Sequence, residues 1–130
     1  MADLIKESES VDGMMPGMQS SDIRDRLGGE DDLPLLEMET MQLFYMDKGY
    51  IITYSNSTQT VSGICAYLPA AGETARGVGI GSEYDTVKTA YMGQLNAARP
   101  SPDRITIGDG IPYLEFLFKN EVVVMINLCY

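Results

Sequence analysis

The 130 residues carry 19 acidic and nine basic side chains, no histidine and two cysteines, for a formal charge of −10 with 45% hydrophobic residues. That length and apolar share fit one compact domain rather than a disordered chain. The acidity excludes a phosphate-neutralising nucleic-acid surface, and the missing imidazole removes the commonest general base and metal ligand.

From the start of the chain, "MADLIKESES" lacks the basic opening and apolar core of a signal peptide. A cytoplasmic location is expected, or a periplasmic or extracellular one if an export signal was removed. Residues 1–10 read as a flexible N-terminus. No apolar run approaches a membrane span. A short helix is expected over 20–27, with Asp22 in its first turn and Ile23 and Leu27 on one face, ended by Gly28-Gly29. "GGEDD" (28–32) lacks the spacing and terminal glutamate of a calcium loop and reads as a solvated acidic loop. Strands are expected over 39–46, 49–55 and 60–68, the first two joined by the hairpin signal "DKG". "PAAGETARG" has no apolar periodicity, and residues 69–76 read as a linker. A second helix is expected over 82–91, with Ser82 as N-cap, Asp85 completing a capping box, and Gly93 at its end. Strands over 104–107, 113–118 and 122–129 follow, separated by the turns "GDG" and "FKNE".

The two halves read alike. "GMQSSDIRDRLGG" (17–29) aligns with "GSEYDTVKTAYMG" (81–93), and "MQLFYMDKGYIITY" (41–54) aligns with "PDRITIGDGIPYLE" (102–115). The offset is 64 residues in the helices and 61 in the strands. The organisation expected is therefore a tandem duplication: an α-β-β-β unit over 11–68 and another over 77–130. The fold class is α+β, the units sharing one antiparallel sheet with helices packed on one face.

Alternation sorts the sheet faces. Leu114, Phe116 and Phe118 are expected beneath the helix, where Val87 and Tyr91 cover them. Tyr113, Glu115 and Leu117 then point outward. The repeat alignment places Tyr50, Ile52 and Tyr54 on that same outer face.

"GVGIGSEYDTVKTAYMG" (77–93) contains G-x-G-x-G but neither the dinucleotide fingerprint nor a P-loop, and no parallel crossover surrounds it. Its glycines read as a turn and helix entry, and no cofactor is expected. The stretch resembles the I-G-x-S-x-x-x-V-x-x-x-Y-G opening of the β-lactamase-inhibitor-protein-like domains and of the small outer-membrane assembly lipoproteins. "YLEFLFKNEVVVMINL" looks like their closing hairpin. The duplicated form is more similar to the inhibitor protein, which implies two such units joined in one long sheet. The first unit departs from the motif, with Pro16 and Met18 at the positions of its Ile and Ser. No enzyme-contacting residue of the inhibitor finds a matching position here.

Catalytic and metal sites have little material. No base is available to activate a serine, and Asp47 and Asp109 read as turn residues. Cys65 and Cys129, without a CxxC, read as free, small buried thiols rather than a zinc site or a disulfide. The function expected is that of a non-enzymatic binding module, an inhibitor or toxin-immunity protein. It would neutralise a basic partner protein through an acidic, tyrosine-bearing sheet face: Tyr50, Tyr54, Tyr113 and Glu115, with Asp31 and Asp32 steering encounter. The alternative is the soluble domain of a bacterial envelope lipoprotein with a structural or assembly role. A neighbouring toxin gene would favour the first, an upstream lipoprotein signal the second.

Overall fold

Short alternating strands separated by tight turns can satisfy their backbone groups only by pairing with neighbours, and short connections make those pairs antiparallel. In a computed structural model, which describes residues 9–31, 38–91, 103–108 and 113–129, they do so in one sheet. The elements are helix α1 (Ser20–Leu27), strands β1 (Thr40–Tyr45), β2 (Tyr50–Ser55) and β3 (Val61–Tyr67), helix α2 (Tyr84–Ala90), and strands β4 (Arg104–Ile107), β5 (Tyr113–Lys119) and β6 (Val122–Cys129). The sheet order is β1-β2-β3-β6-β5-β4, antiparallel throughout. The expected α+β class, with one antiparallel sheet and helices on one face, is what the chain forms. Among the described residues no helix is long and apolar enough to cross a membrane.

Each half runs helix then three strands, and the two halves make matching contacts. The Gly17 amide donates to the Val61 carbonyl at 2.8 Å, and the Gly81 amide to that of Val123 at 2.9 Å. The Ser20 amide donates to Gln59 at 2.7 Å, and the Tyr84 amide to Glu121 at 2.8 Å. Positions matched in this way lie 64 apart on the helix side and 62 apart on the last strand of each half, not 61. An odd slip in a strand carries every side chain to the other face. The register shows the consequence: Ile52 faces Ile64, Ile64 faces Leu128, and Leu128 faces Leu114. Tyr50, Ile52 and Tyr54 therefore share the helix-facing side with Leu114, Phe116 and Phe118, and the outward placement drawn from the repeat is corrected.

That helix-facing side is the core. Leu43, Ile52, Ile105, Ile107, Leu114, Phe116, Ile126 and Leu128 are fully buried, with Ile23 of α1 and Val87 of α2 above them. Each such side chain is worth roughly 1.5–3 kcal/mol of burial. The Tyr91 ring lies 5.6 Å from that of Phe116 and the Tyr84 ring 4.9 Å from that of Phe118, so α2 covers the phenylalanines as expected. It begins two residues later than predicted, at Tyr84. Ser82 accepts the Gly79 amide on its hydroxyl at 2.9 Å and is held to β6 through its carbonyl, while Glu83 takes the N-cap place. In α1, Asp22 accepts the Gln19 amide at 3.1 Å, and the carbonyls at its far end are met by Lys48 on Leu27 and by the Tyr45 hydroxyl on Gly28. These bonds tie the β1–β2 hairpin to the helix end, where unpaired carbonyls need donors. The hairpin itself requires Gly49: its φ is +84°, and a Cβ there would meet the Tyr67 carbonyl and the Ala70 amide.

Two segments read as loose are part of the structure. The linker is a strap, with Ala70, Gly72 and Thr74 buried. Asp12 accepts the Gly72 and Glu73 amides, each at 2.8 Å, and the Tyr50 hydroxyl. Glu9, which falls inside the expected flexible terminus, is 4% exposed; it accepts the Ala75 amide at 2.8 Å and the Tyr91 hydroxyl at 2.7 Å. Glu9 therefore ties the N-terminal segment to the strap and to Tyr91.

Candidate protein-binding surface

One face of the sheet is taken up by helices and strap; the other follows from register. Residues facing one another across neighbouring strands share a face, which gives three long outward rows, with Thr40 and Ser55, and Lys119 and Val122, as short outward pairs beyond them. The first is Gln42, Thr53, Gly63, Cys129 and Tyr113. The second is Phe44, Ile51, Cys65, Asn127, Glu115 and Thr106. The third is Tyr67, Met125, Leu117 and Arg104. No side chain of these rows is fully buried, and among the described residues no element packs over them. Phe44, Ile51, Cys65, Tyr67, Met125 and Leu117 run as one apolar band from β1 to β5. It crosses the junction between β3 and β6.

The electrostatics of this face are muted. Arg104 and Glu115 are the charged side chains of the three long rows, and the exposed Lys119 stands on the same side at the end of β5. The Arg104 Nε lies 3.6 Å from Glu115 Oε2, and Asn127 donates to Glu115 Oε1 at 3.2 Å. Tyr113 stands at the other end of the first row, where a hydrogen bond to the Cys129 sulfur, then burial, pushes its hydroxyl up to about 12. Burial, and after it the proximity of Cys129, pushes the Cys65 thiol up; both thiols are free. Asp22, Asp25, Glu73, Glu83 and Asp85 are exposed on the helices and strap of the opposite side.

The sequence-predicted residues divide accordingly. Tyr113 and Glu115 stand together on the outward face. Tyr50 and Tyr54 do not: they are 8% and 5% exposed, inside the core. Burial, then the hydrogen bond to Asp12, holds the Tyr50 hydroxyl well above its ordinary range. Asp31 sits at the β1 edge, where its amide donates to the Phe44 carbonyl and its carboxylate accepts the Met46 amide at 2.9 Å. Asp32 lies outside the described residues. Glu30, from the same acidic run, pairs with Arg24 at 2.8 Å, and that hydrogen bond lowers its pKa. Sequence reasoning missed Phe44, Ile51, Tyr67 and Met125. The usable signal was the parity of β2 and β3 counted from Gly49, which places Ile51 and Tyr67 opposite in sense to Ile52 and Ala66.

Among the described residues no group of three or more cysteine, aspartate or glutamate side chains is placed to hold a metal. A pocket of about 210 Å³ at the β5–β6 turn is lined by Glu83, Tyr84, Asp85, Asn120, Glu121 and Val122; its carboxylates are exposed.

The fold is that of an α+β protein with helices on one sheet face and, among the described residues, no element packed on the other. No family model and no curated protein sequence matches the chain. Among solved structures it is similar to a DUF4309 family protein, YjgB, from Bacillus subtilis subsp. subtilis str. 168, at 14% identity and a TM-score of 0.47, over 98% of this chain and 91% of that one.

Proposed function

We propose that the protein is a non-enzymatic binding module, an inhibitor or immunity-type protein. It docks a basic partner protein on its outward sheet face, and its two halves descend from one duplicated α-β-β-β unit. The observation that carries this reading is the apolar band of Phe44, Ile51, Tyr67, Met125 and Leu117, half-buried side chains that adjoin across five strands of one face rather than standing singly on the surface. Tyr113 and Tyr67 at its margins are side chains that anchor interfaces well. The charge then acts from a distance. A net charge of −10 around a docking surface whose one acid, Glu115, is paired with Arg104 accelerates encounter with a basic protein without placing unpaired carboxylates inside the interface.

The test is affinity capture from the native host with three baits: the natural chain, Ile51→Glu and Ser21→Glu. A single protein held by the natural chain and by Ser21→Glu, and lost with Ile51→Glu, supports the reading. Equal capture by all three baits rejects the outward face as the docking surface.

A further inference from the structure

We infer that, in the absence of a partner, the outward face is covered by a second copy of the same chain, packed sheet on sheet; this rests on the reading of that face as the docking surface. Three observations select a second copy. The first is charge. A molecule of net charge −10 repels its own kind over most of its surface. On the outward side Glu115, the one acid among the described strand residues there, is paired with Arg104 at 3.6 Å, and Lys119 is the remaining charge, so this is the side on which two copies meet without setting acid against acid. The exposed carboxylates of α1, α2 and the strap lie on the far side of each sheet. With sheets about 10 Å apart and a helix layer behind each, those groups on opposing copies are on the order of 30 Å apart.

The second is area. Six strands at about 4.8 Å spacing, each about 20 Å long, give a face of roughly 500 Å² per copy, or roughly 1,000 Å² in all. That reaches the lower bound of specific interfaces, about 1,000 Å². The pair it predicts is therefore weak and exchanging, one that a partner protein can displace. The third is continuity. The apolar band crosses the β3–β6 junction without a break, so two sheets can stack along it with their strand directions roughly aligned.

The salt response separates this pairing from partner capture. Two acidic copies repel at low ionic strength, where the screening length is about 30 Å, and much less at 0.15 M, where it is about 8 Å. Salt should therefore strengthen self-association, while it weakens binding to a basic partner.

The experiment is sedimentation equilibrium of the full chain, from micromolar to near-millimolar concentration, at 0.01 and 0.15 M salt. The expected result is a mass rising with concentration from 14.3 kDa to twice that value, with a dissociation constant roughly threefold or more tighter at the higher salt. Leu117→Glu and the milder Leu117→Thr, which keeps strand propensity, should both weaken the pair. Ser21→Glu, which adds the same charge on the helix side, should leave it intact. A mass of 14.3 kDa under all conditions overturns the inference but leaves the docking face for a partner standing. So does a dimer untouched by both Leu117 variants, or one that salt dissociates.

Discussion

Asp12 is the residue whose loss most directly probes how the covered face is closed. Its carboxylate accepts the Tyr50 hydroxyl and the amides of Gly72 and Glu73, so one side chain joins the N-terminal segment, the strap and β2. Gly72 is buried and Tyr50 is 8% exposed; neither finds water when the acceptor goes. Glu73 is exposed, and its amide does. A buried donor left unpaired costs about 1–3 kcal/mol. Two such donors, with little added for the third, make Asp12→Ala worth about 3–5 kcal/mol. Set against a total stability of about 5–15 kcal/mol, that is a large share. Asp12→Asn keeps an acceptor oxygen and tolerates the left-handed backbone at this position, φ +51°; its cost should be about half as large. Urea unfolding of both variants and of Tyr50→Phe measures this, with the double variant giving the coupling. A loss below about 0.5 kcal/mol in Asp12→Ala would be an ordinary surface effect. It would mean that the strap is not held as described.

Phe116→Ala should cost about 3–5 kcal/mol, because it empties a fully buried site beneath Tyr91, whereas Ile51→Ala on the open face should cost less than about 1.5 kcal/mol; equal losses in denaturant melts would reverse the face assignment. Gly49→Ala should destabilise by more than about 1 kcal/mol, since φ is +84° and the added carbon meets Tyr67 and Ala70; an unchanged midpoint would contradict the hairpin geometry. Glu30 has its pKa lowered by Arg24 from an ordinary 4.5. The pair therefore stabilises the fold above that value and is lost as pH falls through the depressed one. Glu30→Gln should cost about 0.5–1 kcal/mol at pH 7, discounted for a partly exposed pair, and progressively less as the pH falls through the depressed pKa; a pH-independent difference would remove the ion pair as its cause.

Much of the fold was legible because local signals agreed. Gly49 and its neighbours mark a hairpin, the β5 alternation of Leu114, Phe116 and Phe118 marks a buried face, and Gly28 ends α1. The outward face was half legible. In β5 a tyrosine and a glutamate alternate with large apolar residues, so the polar side declares itself. In β2 the alternation sets Tyr50, Ile52 and Tyr54 against Ile51 and Thr53, and tyrosine looks like the solvent-facing partner. What inverts the choice is tertiary: Asp12 arrives from 38 residues away to satisfy the Tyr50 hydroxyl, and a tyrosine whose hydroxyl is paired can be buried. Composition could not locate the acidity either, because charge counts carry no direction. The strap looked like a linker because most of what holds it is backbone bonded to two distant carboxylates, and Ala70 is a small side chain that gives no periodic signal.

The central claim, that the partner protein covers the outward face, can be read from thiols already there, since Cys65 and Cys129 both stand on it. With the captured partner in hand, and at dilution where the free chain is a monomer, the rate of iodoacetamide labelling at pH 8.5 is followed by mass spectrometry with and without partner. The account predicts at least a tenfold slowing at both cysteines in the complex, while acetylation of Lys88, on the helix side, proceeds unchanged. Thiols labelled at the free rate in a saturated complex, with Lys88 shielded instead, would place the partner on the helices and contradict the account.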